Sequence, residues 1–187
     1  MVIKNVLVIS LIFFVFHSGE IYAQEKNLKI SGGYFGETIT YPGFTISAER
    51  EKVFSGKAGI STSLELGYYH HPRNHDSWFI GINHGFRQYF GKNFFAEQYL
   101  GIGTIADFFN EDVWHIDDNG NAVRVSKFGN FNFMPSVILG TGYRSGKYAF
   151  WLRPRIYWQL PYNNLALPHF ALQAGFSFTL NKHVKDN

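Results

Sequence analysis

Two-residue alternation, sustained over segments of ten residues or more, constrains this chain more than any other feature. Over 169–180, Phe170, Leu172, Ala174, Phe176, Phe178 and Leu180 share one parity, and His169, Ala171, Gln173, Gly175, Ser177 and Thr179 share the other. Over 147–160, Phe150, Leu152, Pro154, Ile156 and Trp158 oppose Trp151, Arg153, Arg155, Tyr157 and Gln159. Ala58, Ile60, Thr62, Leu64 and Leu66 likewise oppose Gly59, Ser61, Ser63, Glu65 and Gly67. A period of two is the period of a strand. Bulky apolar residues on one face and full charges on the other invert a soluble core. They suit a wall with lipid outside and a polar interior.

Eight such segments are expected, at 28–40, 44–54, 58–69, 78–90, 94–107, 132–144, 147–160 and 169–180. Most exceed the ~9–11 residues of a tilted transmembrane strand. The connections alternate in character. Ser55-Gly56-Lys57, Gly91-Lys92-Asn93 and Ser145-Gly146-Lys147 are short and alike. Tyr41-Pro42-Gly43, 70–77, 108–131 and 161–168 make the other set, mostly longer. Tight turns on one rim and longer loops on the other are expected of an up-and-down barrel in an outer membrane, with the tight turns periplasmic. No apolar run after residue 23 is long enough to span as a helix. A membrane-embedded sheet must then close, because open edges are not tolerated in lipid. The expectation is all-β: an eight-stranded antiparallel up-and-down transmembrane β-barrel over 24–187, following a cleaved signal peptide.

That signal peptide is read at 1–23. Lys4 supplies a positive start, Val6 to Phe16 is almost continuously apolar, and Ile21-Tyr22-Ala23 ends on a small residue. This is the pattern of export through the Sec pathway, with cleavage before Gln24. With 0 Cys, a lipoprotein anchor, disulfides and thiolate metal sites are excluded. The formal charge of +3, without a dense Lys/Arg run, gives no footprint for nucleic acid. Aromatics are 19 % of the chain. Tyr68, Tyr69, Trp78 and Trp158 fall near one expected rim, and Phe90, Phe94, Tyr143 and Tyr148 near the other, as interfacial girdles do.

The inward parity carries Glu49, Glu51, Glu65, Arg87, Glu97, Arg153 and Arg155. If Gly91-Lys92-Asn93 is a three-residue hairpin loop, Phe90 faces Phe94, Arg87 faces Glu97, and Gly85 lies opposite Tyr99, whose ring can cover it. The interior of an eight-stranded barrel is just wide enough for side chains to fill. Unpaired buried charges are costly. A plugged lumen with a paired charge network over Glu49, Glu65, Arg87, Glu97, Arg153 and Arg155 is therefore expected. Arg50 falls on the outward face, near enough to a turn to snorkel. Pro154 and Pro135 interrupt their strands, and a bulge is expected at Pro154.

His70-His71-Pro72-Arg73-Asn74-His75-Asp76-Ser77 is the stretch richest in chemistry. Its spacing matches no closed zinc pattern, so neither a metal nor a cofactor is expected. His75, Asp76 and Ser77 name the residue types of a catalytic triad, but a triad is defined by convergence, not adjacency. Asp117-Asp118-Asn119-Gly120-Asn121 has calcium-loop composition. Ala122 and Phe128 stand where an EF-hand needs Gly and Glu. Asn119-Gly120 instead predicts a type I′ turn in a hairpin raised above the rim. Such a hairpin offers an edge to an extracellular partner.

Two resemblances follow from these residues. The chain over 28–180 resembles the small outer-membrane β-barrel superfamily that includes OmpX-like proteins and the membrane domain of OmpA. Gly85-Phe86-Arg87-Gln88-Tyr89-Phe90, Asp118-Asn119-Gly120-Asn121 and Ala166-Leu167-Pro168-His169-Phe170-Ala171-Leu172-Gln173 resemble exported barrels of Bacteroidetes-type bacteria. These imply a monomeric outer-membrane barrel in contact with lipopolysaccharide, and little about activity. Such barrels commonly finish on an aromatic. Here Leu180 and a polar tail follow Phe178, so any insertion signal would be internal. Asp76-Ser77-Trp78 is also similar to a short stretch of the lipid A palmitoyltransferases. In that family a His of the first outer loop completes the site, and Tyr41-Pro42-Gly43 has none. The lipid A deacylases pair a wall-facing His with a nearby Ser and a Glu. His84 has the wall-facing parity, but no Ser lies two residues from it. The leading expectation is a structural or surface-interaction barrel. The alternatives are a lipid A-modifying enzyme and a barrel that binds a hydrophobic ligand.

Overall fold

The computed structural model describes residues 25–54, 57–72, 74–112, 114–117, 119–124, 128–162 and 165–182; the leader expected at 1–23 lies outside them. Nine of the strands form one antiparallel ring. They are β1 (Glu25–Glu37), β2 (Tyr41–Phe54), β3 (Ala58–His71), β4 (His75–Phe90), β5 (Phe94–Phe109), β8 (Phe128–Phe133), β9 (Ser136–Ser145), β10 (Tyr148–Tyr162) and β11 (Leu165–Lys182). Sequential strands pair in order, and β1 pairs with β11, with Gly33 opposite Gly175, so the sheet closes on itself. β8 and β9 together make one stave between β5 and β10. The architecture is the eight-staved antiparallel barrel that alternation and connection lengths predict.

The outer wall is apolar. Ile102 is 60 % exposed and Phe150 63 %, and Ile46, Leu64, Ile82, Leu139 and Ile156 share their face. This is far beyond the scattered apolar exposure of a soluble surface. The inner parity is buried and mostly polar. Reading β4 from its tight turn upward gives the order of the layers inside: Tyr89, Arg87, Asn83, Phe79, Ser77 and His75.

Glycine makes room where an aromatic ring crosses the lumen. A Cβ on Gly85 would meet Tyr99 Cδ1 at 2.6 Å, and one on Gly67 would run into the Phe79 ring. Tyr99 does lie opposite Gly85, and Arg87 opposite Glu97. The tight turns also use glycine. Gly146, at φ +61°, opens the two-residue turn between paired Ser145 and Tyr148, at the position a type II′ turn reserves for it.

Several boundaries differ from the sequence expectation. β3 and β4 run on to His71 and from His75, so most of the expected loop 70–77 is strand and only 72–74 connects them. The first connection is 38–40 rather than Tyr41-Pro42-Gly43, because Tyr41 already pairs with Glu37. The expected sixth strand, 132–144, breaks at Met134-Pro135, where the proline cannot donate to a ladder. Pro154 causes no bulge. Leu152↔Thr141 and Arg155↔Ile138 keep one register across it, and the ladder simply skips the proline on that edge. Within 108–131, β6 (Trp114–Ile116) and β7 (Ala122–Arg124) form a separate hairpin. Its register joins Ile116 to Ala122 around a five-residue loop, not the two-residue turn expected at Asn119-Gly120. Asp117 closes that loop, its Oδ1 accepting from the Asn119 and Asn121 amides at 2.9 and 2.7 Å.

Candidate functional site

Two polar regions occupy the lumen, one above the other. The lower is a cluster of ionised groups, termed the plug for the role proposed for it. Arg87 donates to both Glu49 carboxylate oxygens at 2.7 and 3.1 Å, and from Nε to Glu97 Oε2 at 2.8 Å. It also reaches Glu51 Oε1 at 3.0 Å. Lys29 Nζ lies 2.7 Å from Glu51 Oε2, and Arg153 Nε donates to Glu97 Oε1 at 2.5 Å. Tyr89 and Tyr99 hydroxyls complete the carboxylate shells of Glu51 and Glu97 at 2.6 and 3.0 Å. One step up, Glu65 accepts from Arg155 at 2.8 Å, Asn83 at 3.0 Å and Gln173 at 2.8 Å. Bases and acids match: Lys29, Arg87, Arg153 and Arg155 against Glu49, Glu51, Glu65 and Glu97. Charge pairing of this kind is how buried ions meet their desolvation cost. Each carboxylate of this cluster is bonded to a cation.

Above the plug, Phe35, Tyr69, Phe79, Ile105, Met134, Tyr157 and Ala171 form an apolar septum. Above that the barrel opens into a cup of about 520 Å³ at the loop end. Glu37 and His169 bridge its β1–β11 wall, Oε1 to Nδ1, at 2.9 Å. On the opposite side Ser77 Oγ donates to Asp107 Oδ1 at 2.5 Å, and His75 Nε2 lies 3.9 Å from the same oxygen. Tyr41 lies tilted over His71, centroids 3.9 Å apart, and His71 stacks on His75 at 5.2 Å. Glu37 is set by a strained turn. Thr38 and Ile39 take φ of +44° and +69°, where a β-branched residue costs about 1–3 kcal/mol. Bonds from the Thr38 amide to Phe170 O (2.8 Å) and from Tyr34 to Ile39 O (2.9 Å) hold it there.

His75, Asp76 and Ser77 do not converge. They are consecutive in a strand, so Asp76 points outward, to His70 at 2.6 Å, while His75 and Ser77 point inward, His75 lining the cup and Ser77 fully buried. The acid that meets Ser77 and His75 is Asp107. The serine donates directly to it, with no imidazole between, so this is not the order of a Ser–His–acid relay. His84 faces the outer wall, where Thr62 of β3 lies 2.7 Å from its Nδ1. Arg50 shares that register row through Thr62, and no carboxylate does. Among the described residues no group of three or more acidic, histidine or cysteine side chains is arranged to hold a metal ion.

Glu49, Glu65, Arg87, Glu97, Arg153 and Arg155 all lie in the lower cluster, and the residues around the cup are mostly ones that the sequence does not single out. Lys29, Glu37 and Asp107 have the inward parity, which was the available signal. Asn132, Gln159 and His169 join the cup only because the ring closes, and no local pattern marks them.

Taken together, the closed eight-staved ring, the apolar outer wall and the charged interior are the fold of the small outer-membrane β-barrels. Among solved structures, the chain is similar to Neisserial surface protein A, with a TM-score of 0.53 at 9 % identity, over 83 % of this chain and 96 % of that one. It is also similar to Ail, the attachment invasion locus protein of Yersinia pestis, with a TM-score of 0.47 at 12 % identity over 83 % and 99 %. The outer membrane enzyme PagL gives 0.48 at 11 % identity over 81 % and 98 %. No protein-family model matches the chain, and no curated protein sequence does.

Proposed function

We propose that this chain is an exported, non-conducting outer-membrane barrel that acts at its loop end, in a structural or surface-interaction role. The observation that carries this reading is the radial inversion. Ile102 and Phe150 stand open on the outside while Arg87, Glu49 and Glu97 are buried and mutually bonded on the axis. Water would solvate such a wall poorly, whereas lipid suits it and demands the closed ladder. Export through the Sec pathway and a monomeric state belong to the same reading. The tight turns face the periplasm. Tyr68 and Trp78, whose rings lie 4.9 Å apart on the outer wall, meet the lipopolysaccharide leaflet. The β6–β7 hairpin then stands clear of the membrane, where its edges are open to a partner.

Fractionation and planar-bilayer recording test this. The protein is expected in the outer-membrane fraction, with a heat-shifted band on a gel and no stable channel openings. A soluble periplasmic protein would overturn the membrane assignment. Ohmic openings abolished by added bulk in the lumen would overturn the plug.

A further inference from the structure

The two ends of the lumen carry opposite charge. The cup is lined by Glu37 and Asp107, and no Lys or Arg is among its described lining residues. The tight-turn end holds a smaller cleft, of about 270 Å³, with the reverse lining. Lys29, Lys92, Arg144 and Lys147 border it, and no carboxylate is among its described lining residues. Lys29 is the buried one of these, and Glu49 and Glu51 already hold it, at 3.6 and 2.7 Å. Among the described residues Lys92, Arg144 and Lys147 meet no carboxylate. Uncompensated cations around one hollow repel each other and focus a positive field into it, which an anion relieves.

The cations are held in place by the fold. Arg144 has the inward parity of β9, and its guanidinium carbon lies 4.8 Å from the Tyr89 ring centroid. A ring occupies one face of a guanidinium and none of its N–H donors. Among the described residues those donors meet no acceptor. The Arg144 amide donates to Asn93 O at 2.6 Å, which ties the 91–93 turn to the end of β9. The Thr179 amide donates to Lys147 O at 2.9 Å, which ties the next turn to β11. The Ser145 and Thr179 residues border the same cleft, and their hydroxyls add neutral donors. A guanidinium fork beside ammonium groups and hydroxyls matches a phosphate better than a carboxylate, which has fewer oxygens and less charge to offer them. We propose that this cleft is a phosphate site, taking a phosphomonoester on Lys92, Arg144 and Lys147.

The cleft and its charge do not depend on the membrane assignment. The proposed function enters only in naming the sources: a soluble phosphate ester on the periplasmic side, or the headgroup of phosphatidic acid in the adjoining leaflet. The test uses the full barrel, isotope-labelled, in an uncharged maltoside detergent so that no detergent phosphate competes. NMR follows the Gly146 and Lys147 amides and the Arg144 Nε–H at constant ionic strength, which keeps screening fixed. Inorganic phosphate and glycerol phosphate are titrated in one arm and sodium acetate in a second. In a third the barrel sits in phosphatidylcholine nanodiscs with and without phosphatidic acid. Saturable shifts with the phosphates are expected, with none for acetate and none at the His75 and His169 amides of the cup. Binding in the first arm assigns the soluble source, and shifts with phosphatidic acid alone assign the lipid. Arg144→Gln is expected to weaken binding at least about tenfold, as loss of a charge-assisted hydrogen bond does. Lys147→Gln, at an exposed turn where folding is not at stake, is expected to weaken it several-fold. Lys57→Gln removes the same charge from the same rim but not from the cleft, and is expected to change binding by less than about twofold. No saturable shift with the phosphates or phosphatidic acid, equal shifts with acetate, undiminished binding by the folded cleft variants, or a loss in Lys57→Gln equal to that in Lys147→Gln would overturn the proposal.

Discussion

The plug and the cup are made of the same kinds of side chain and are finished differently. In the plug every ionised group has an opposite charge within 2.8 Å, the closest pair being Arg153 and Glu97 at 2.5 Å. Unpartnered buried atoms occur there too, among them Asn27 Oδ1, the Ser31 and Ser61 hydroxyls, Trp151 Nε1 and Arg155 Nε. At the cup Glu37 meets His169 and Asp107 meets Ser77, while Asn132 Oδ1, Gln159 Nε2 and His169 Nε2 have no partner. Pairing charges makes a region pay only for itself, whereas leaving neutral donors and acceptors open costs stability unless something else binds them. The difference separates a region held by opposite charges from one held by single hydrogen bonds.

The plug is where the comparison breaks most violently. Arg87 is the hub of three carboxylates, so Arg87→Met strands Glu49, Glu51 and Glu97 against Lys29 and Arg153 alone. A loss of about 3–5 kcal/mol is expected, the cost of breaking a buried ion pair. Urea unfolding in detergent, read by tryptophan fluorescence and by the heat-shifted band, measures it. An unchanged midpoint would mean that water reaches the carboxylates and the plug is not closed.

Arg155 and Glu65 form a simpler unit, and that allows a cycle. Arg155→Met alone should destabilise by about 3 kcal/mol, while Glu65→Gln added to it should recover most of the loss, because the remaining Gln can bond Asn83 and Gln173 without a charge. A purely additive cycle in the same urea assay would show that the two residues do not act as a pair.

What was legible in the sequence follows the same division. The Arg87–Glu97 pair was readable because a three-residue hairpin fixes the register of β4 on β5, and parity does the rest. Parity also puts His75 and Ser77 on one side and Asp76 on the other, so the alternation rule itself dissolves the apparent triad. Asp107 could not be read as their partner, because β5 was expected to end there and instead runs to Phe109, with an irregular register against β8 beside it. Glu37 and His169 are 132 residues apart and meet only through the β1–β11 closure. Local patterns specify each stave and its neighbour. They do not say which loop-end residues face one another across a closed ring.

At the cup a smaller effect is expected. Ser77→Ala removes a buried hydroxyl that donates to Asp107, a hydrogen bond to a charged group worth about 1.5–3 kcal/mol. His75, 3.9 Å away, takes over part of that role, so the lower end is expected. Lipid A from cells expressing wild type or Ser77→Ala should have the same mass, since the serine faces no base positioned to take its proton. A mass shift present with wild type and lost in the variant would make the cup an enzyme site.

The smallest effect lies outside the barrel, at Asp117 in the β6–β7 loop. Backbone donation from Asn121, then from Asn119, holds its carboxyl below the ordinary value of 3.8. A carboxyl with a depressed folded-state pKa contributes order that is fully present above its unfolded pKa and is lost as pH falls through the folded one. The hairpin tip is therefore expected to stay closed through neutral and mildly acidic pH, opening only below pH 3.8. Amide exchange at Asn119 and Asn121 reads this directly, with Asp117→Asn as the comparison, in which acid no longer opens the tip. β6 and β7 pair only with each other among the described strands, so the plug and the cup should keep their unfolding midpoints while the tip titrates. A barrel midpoint that moves together with the Asn119 and Asn121 amides would show that the hairpin is mechanically joined to the mouth.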